Sequence, residues 1–203
     1  MKLSTVQADA MQELGNIGAA HAATTLSQML GSTVHMSVPA IKAVDIAELG
    51  KYMGEESAAM VAFELQGEIQ HGGYVIFYIT RESAIRLTNT MLGLTDMNRQ
   101  MNEMDESALL EVGNIMVSAF LDATAELLGF VMLPSPPAMS IDMAHATMSS
   151  LIASMGEEVN EVLLFSTELT CDEHKIDSDI IMMPENKTLD RIVDLLEKMI
   201  KPA

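Results

Sequence analysis

The chain repeats itself, and that duplication constrains its fold more than any other feature of the sequence. Gln12–Gly31, QELGNIGAAHAATTLSQMLG, aligns without gaps to Leu110–Gly129, LEVGNIMVSAFLDATAELLG, at an offset of 98 residues. Six of the twenty positions are identical: Glu13/Glu111, Gly15/Gly113, Asn16/Asn114, Ile17/Ile115, Leu30/Leu128 and Gly31/Gly129. Most of the others exchange one apolar or small residue for another. Pro39-Ala40 and Pro137-Ala138 keep the same offset. A register that survives past the helix implies two copies of one supersecondary unit. The expectation is a single domain, 1–203, made of repeats at about 1–95 and 103–203.

Each copy reads as helix, strand, strand, strand, helix. A capping box formed by Ser4 and Gln7 opens the first long helix, and Asp105 is the expected N-cap of the second. Gly31 and Gly129 close them. Apolar or β-rich stretches around a proline follow, Val34–Val44 and Pro137–Met143. Short helical pieces are expected near Asp45–Lys51 and Ala144–Met155. The runs Ala58–Glu68 with Tyr74–Thr80, and Val159–Thr170 with Lys175–Met183, read as hairpins turning at His71-Gly72-Gly73 and Cys171–His174. Last helices are expected at Glu82–Leu92 and Thr188–Ile200, with Asp96–Asn102 as the polar link. Short turns favour antiparallel pairing. The predicted fold is α+β: a pseudo-twofold duplicated repeat with a largely antiparallel sheet of about six strands and long helices packed on it.

The wet faces of the two long helices carry the candidate chemistry. Asp9, Glu13, Asn16 and Ala20 share one stripe at i, i+4, i+7 and i+11, and Ser107, Glu111, Asn114 and Ser118 repeat it. Leu3, Ala10, Leu14, Ile17 and His21 form the adjoining apolar stripe of the first copy. Leu110, Val112 and Ile115 flank the second. Gly15, Gly18, Ala20, Gly113 and Ser118 are small and suggest a landing strip for another protein. On a single helix, Glu and Asn are what any solvated face displays. Their retention in both copies, while most positions drift, favours a functional pair.

The spacing is specific. Asp or Ser, three residues, Glu, two residues, Asn, twenty-two residues, Pro is met by Asp9, Glu13, Asn16 and Pro39, and again by Ser107, Glu111, Asn114 and Pro137. This pattern resembles that of the CheC/CheX/FliY family of chemotaxis response-regulator phosphatases, and the resemblance covers essentially the whole chain. Two motifs in one chain fit the CheC type. A CheX-type protein resembles one copy and dimerises. FliY carries a further C-terminal switch domain, for which 203 residues leave no room.

The resemblance implies an enzyme that hydrolyses the aspartyl phosphate of the regulator CheY. Asn16 or Asn114 would position the attacking water, as a water-orienting Gln does in small GTPases. Glu13 or Glu111 would pair with a regulator lysine and fix the docking. Pro39 and Pro137 would shape the strand behind each helix. No cofactor is expected on this chain; Mg²⁺ belongs to the phosphorylated regulator. The alternatives are an adaptor that binds the phosphorylated regulator without hydrolysis, and a regulator of the receptor deamidase CheD, a partner the resemblance also implies.

Composition narrows the rest. A formal net charge of −18 opposes binding to nucleic-acid phosphates. No stretch reads as a signal peptide or a membrane span, and a single cysteine, Cys171, suits a reducing compartment, so a cytoplasmic location is expected. Nineteen methionines read as core filling in a chain without tryptophan. The five histidines show no metal-ligand spacing. His21 is expected to pack within the apolar stripe. Cys171 and His174 lie three apart in a turn, where Asp172 and Glu173 would disfavour a thiolate.

Overall fold

The computed structural model describes residues 4–45, 48, 53, 56–68, 72–154 and 161–200. Helix α1 (Thr5–Leu30) is followed by β1 (His35–Met36), β2 (Ala40–Asp45), β3 (Ser57–Gly67), β4 (Gly73–Thr80) and α2 (Arg81–Leu92). The second half runs α3 (Glu103–Leu128), β5 (Met132–Pro134), β6 (Ala138–Met143), α4 (Ala144–Ser154), β7 (Glu161–Cys171), β8 (Ile176–Pro184) and α5 (Asn186–Ile200). The fold is α+β. Both long helices have 26 residues and begin 98 residues apart. The helical piece expected near Asp45–Lys51 falls almost entirely outside the described residues, as does His71.

Eight strands are described where about six were expected. The difference is local to the prolines. Val34–Val44 is split at Ser37–Pro39, and its counterpart breaks at Ser135–Pro137, because proline lacks the N–H a ladder needs and restricts the residue before it. The order is β1/β2, β7, β8, β4, β3, β5/β6, and all pairs are antiparallel. Each half places its first strands against the other half's long strand. Ala40 lies opposite Ser166, and Ala138 lies opposite Ala62. His35 faces Thr170, while Gln66 faces Leu133. These registers are mates: 98 residues relate the short strands, and 104 relate β3 to β7, from Ser57 to Glu161.

Alternation along the central strands sorts the core. Ala59, Val61, Phe63 and Leu65 pack with Val75 and Phe77 beneath α1, α2, α3 and α5. Ala58, Met60, Ala62, Ile76, Ile181 and Met183 face the other way, where Met148 and Ile152 of α4 cover them. By length and apolar composition α3 could cross a membrane. Here Val112, Met116, Val117 and Leu121 are buried in the main core.

The two helix starts differ. Ser4 and Gln7 form the expected box: Gln7 N–H donates to Ser4 Oγ at 3.3 Å, and Ser4 N–H donates to Gln7 Oε1 at 2.8 Å. In α3 the N-cap is Asn102, not Asp105. Asn102 Oδ1 accepts from Met104 N–H at 2.9 Å, and Asp105 closes the box by accepting Asn102 N–H at 2.8 Å. Asp105 is drawn one turn into the helix because its fully buried carboxylate is clamped by Arg99, whose Nη1 donates to Oδ2 at 2.7 Å and whose Nη2 reaches Oδ1. The same guanidinium donates to Thr88 Oγ1 at 2.9 Å and Asn89 Oδ1 at 2.8 Å, tying the link and α2 to α3.

Candidate functional site

Rigid helices present both motifs. In α1, Asp9, Glu13 and Ala20 are exposed and Asn16 is half-buried, while Ala10, Met11 and Leu14 point into the core. In α3, Ser107 and Glu111 are exposed, Asn114 and Ser118 are half-buried, and Val112 is buried. Asn16 Nδ2 donates to Glu13 Oε2 at 3.4 Å, a long bond that leaves the amide oxygen free to face an incoming group. Among the described residues, the second pair shows no matching bond between Glu111 and Asn114. Each copy thus joins an anion and an amide on one accessible stripe. Such a pair can dock a cation and orient a water; an amide cannot act as a general base at neutral pH.

The glycines beside these residues have a different task from the one expected. Gly15, Gly18 and Gly113 are buried. A Cβ on Gly18 would stand 2.6 Å from the Phe120 ring and 2.9 Å from Thr124, so this glycine lets α1 and α3 cross closely. A Cβ on Gly15 would meet Pro39 at 3.0 Å, and one on Gly113 would meet Val61 at 2.9 Å. These positions seat the motif helices on each other and on the sheet. Ala20 and Ser118 alone remain of the proposed landing strip.

The prolines diverge. Pro39 is buried under Gly15, and its carbonyl accepts from Gln12 Nε2 at 3.1 Å. Pro137 is exposed. Leu110 occupies the position of Gln12 and has no amide to reach back.

His21 is exposed, a correction to its expected packing: the buried face of α1 runs through Met11, Gly18, Ala22 and Leu26, and His21 falls outside it. Cys171 is buried. His174 Nε2 lies 3.0 Å from Ser32 Oγ, but that hydroxyl gives its proton to Glu173 Oε2 at 2.8 Å. The cluster ties the end of α1 to the β7–β8 turn and lacks the geometry of a nucleophile with its base. Among the described residues, no group of three or more His, Cys, Asp or Glu side chains is placed to share a metal ion.

Two features escaped the sequence reading. One is the Arg99–Asp105 clamp at the start of α3. The other is a groove of about 530 Å³ beside the first motif, with Asp9 and Glu13 on its rim and Leu196 and Met199 from α5 in its wall. Only the fold brings residues so far apart in the chain together. The amphipathic pattern of α5 was the one available signal.

The fold and the doubled Glu/Asn stripe define a duplicated α+β protein with Glu/Asn stripes at matched positions on its two long helices. The description of the CheC-like family matches residues 6–42 and 104–141, the two motif helices with their first strands. The chain is 26% identical over 191 residues to the CheY-P phosphatase CheC of Bacillus subtilis, covering 92% of this chain and 91% of that protein. It is 30% identical over 176 residues to CheC1 of Halobacterium salinarum, covering 86% and 88%. The crystal structure of Thermotoga maritima FliY superposes with a TM-score of 0.78 at 21% identity, over 98% of this chain and 99% of that one. The chain belongs to the CheC-like family.

Proposed function

We propose that this chain is a hydrolase that dephosphorylates the aspartyl phosphate of CheY, with Glu13 and Glu111 docking the regulator and Asn16 and Asn114 each holding the attacking water. The observation that carries this reading is the equivalence of the two stripes. Glu and Asn sit at matched positions on two 26-residue helices, with the carboxylates exposed and the amides half-buried. Relatives named as CheY-P phosphatases agree with it. Water attacks phosphorus in line, the bond from phosphorus to the aspartyl oxygen breaks, and the regulator carboxylate leaves. The water oxygen becomes part of inorganic phosphate, and its protons pass to phosphate and solvent. Asn acts by position alone, and the charge of the phosphoryl group is met by the Mg²⁺ that the regulator carries. Glu pairs with a regulator lysine and sets register more than affinity.

The same proposal treats 1–203 as one domain of two repeats, about 1–95 and 103–203, working in the cytoplasm. The exchange of edge strands between the halves supports the first part. The cytoplasmic location rests on the single cysteine and on the family resemblance. CheD is retained as a further partner on the family resemblance alone.

The test is the decay of phosphorylated CheY with and without this protein. Faster release of phosphate at catalytic amounts of the chain is expected. Binding to the phosphorylated regulator without any change in its lifetime would leave an adaptor and remove the enzyme.

A further inference from the structure

The groove beside the first motif has a mixed character that fits one kind of occupant. Its floor and walls are apolar: buried Ala10 and Leu196, half-buried Ile17 and Leu127, and Met199, which is 51% exposed. Two carboxylates, Asp9 and Glu13, stand on its rim one helical turn apart. Glu13 belongs to both the motif and the groove, so a protein docked on the stripe also reaches this wall. Apolar walls under an anionic rim complement a segment that offers a basic side chain beside an aliphatic one. Met199 is the adaptable part of the wall, since a thioether chain can repack around differing side chains. In the second copy Ser107 replaces Asp9, so that stripe carries one carboxylate fewer.

We infer that this groove is a specificity subsite for the phosphorylated regulator at the first motif, taking an aliphatic side chain next to the lysine that meets Glu13. The inference rests on the functional reading above and adds Met199 and Asp9 to the docking surface of one copy only. The two copies therefore differ in how they bind the regulator while sharing the same chemistry.

The experiment uses the full chain in two backgrounds. In Asn114→Ala, turnover comes from the first copy; in Asn16→Ala, it comes from the second. Met199→Glu in the first background should raise KM about tenfold with kcat held, the size expected for losing one apolar anchor and adding a like charge. Met199→Leu should restore KM. In the second background Met199→Glu should shift KM less than about twofold. Binding of CheY loaded with beryllofluoride and Mg²⁺ supplies a readout that needs no catalysis: Met199→Glu should raise its Kd in Glu111→Gln, where docking falls mainly to the first copy, and change it less than about twofold in Glu13→Gln. Circular dichroism melts check folding. An equal rise in both backgrounds, no rise in either, or an inactive first copy would overturn the subsite. Dephosphorylation absent from the wild-type protein would overturn the functional reading instead, while the Kd pattern would still judge the groove.

Discussion

The two halves share a register but secure their motif helices by unlike means. At the start of α1, Gln7 closes a neutral capping box and reaches across to α5, its Nε2 donating to Glu197 Oε1 at 3.0 Å in a partly exposed contact. At the start of α3, Asp105 holds the same box position, 98 residues on, with its charge fully buried against Arg99. In both halves the residue that closes the capping box also ties the motif helix to a terminal helix, Gln7 directly to α5 and Asp105 through Arg99 to α2. Two solutions to one packing problem show what duplication preserves, which is the geometry of the joint and not its chemistry. The ion pair is the more fragile solution, because either partner left alone is a buried charge.

The largest effect expected from this comparison follows from that fragility. Arg99→Met should destabilise the protein by about 3–5 kcal/mol, the usual cost of stranding one member of a buried pair. The pH dependence has a definite sign. The Arg99 hydrogen bond holds the Asp105 carboxyl well below the ordinary carboxylate range, against the opposing effect of burial. A depressed folded-state pKa contributes stability that is fully present above the unfolded value of about 4 and is lost as pH falls below it. In denaturant titrations at pH 7 and pH 3, the gap between wild type and Arg99→Met should be smaller at pH 3, where the wild-type contribution has begun to be lost. A cost below about 1 kcal/mol at pH 7 would mean that the clamp is no stronger than a surface pair.

Turnover provides the next contrast. Each motif has its own helix, Glu and Asn, so Asn16→Ala and Asn114→Ala should each leave activity, and only the double variant should lose about 10²–10³ in rate. The half-buried setting of both amides on long helices predicts folded variants. Unequal residual rates are expected, because Asn16 is tied to Glu13 at 3.4 Å and Pro39 is buried beneath Gly15, whereas Pro137 is exposed. Glu13→Gln or Glu111→Gln should weaken docking at its own copy and spare the rate at saturation. A single Asn substitution that abolishes all activity in a folded protein would end the two-site account.

A smaller effect lies in the sheet. Tyr74 faces Met183 across β4 and β8, and its mate Tyr78 faces Asp179. Burial, then Glu168 and Asp177, push Asp179 up to about 6. With the folded value raised, the native state keeps a proton that the unfolded chain has released between about pH 4 and pH 6, so stability rises as pH falls through that window. Asp179→Asn should raise Tm at pH 8 by a few degrees and flatten the pH profile, about the shift expected for 1 kcal/mol in a domain of this size. An unchanged profile would place Asp179 in a wetter setting than its burial indicates.

The parts of this architecture that were legible in the sequence are those governed by local pattern. The offset of 98 residues located both helices, and alternation located the β3–β4 and β7–β8 hairpins within a few residues. The stripe residues stand exposed or half-exposed because 100° per residue is a property of any helix. Tertiary consequences were hidden. Gly18 looked like open surface until Phe120, a hundred residues away, was seen to fill the space beside it. Asp105 looked like a cap because the sequence, although it places Arg99 six residues earlier, does not show that the two side chains meet in a buried pair. The crossing of first strands between halves was equally out of reach, since strand pairing is non-local and nothing in a strand names its neighbour.

The smallest expected effect is the counterpart of the first. Gln7→Ala removes the reach-back to Ser4 N–H and the bond to Glu197, but leaves no charge stranded and no donor beyond the reach of water. The expected cost is about 1 kcal/mol, in the range measured for capping residues. Because the capping bonds involve no proton release, that cost should be nearly equal at pH 6 and pH 8. Placing the two latches on a common scale requires the same denaturant titration for Gln7→Ala and Arg99→Met, with the m-value confirming that both unfold the whole chain. A loss near 1 kcal/mol for the first and several for the second would establish that one joint is held by hydrogen bonds that water can replace and the other by a pair that water cannot. Equal losses would mean that burial at Asp105 adds nothing beyond capping, and the contrast between the halves would reduce to sequence drift.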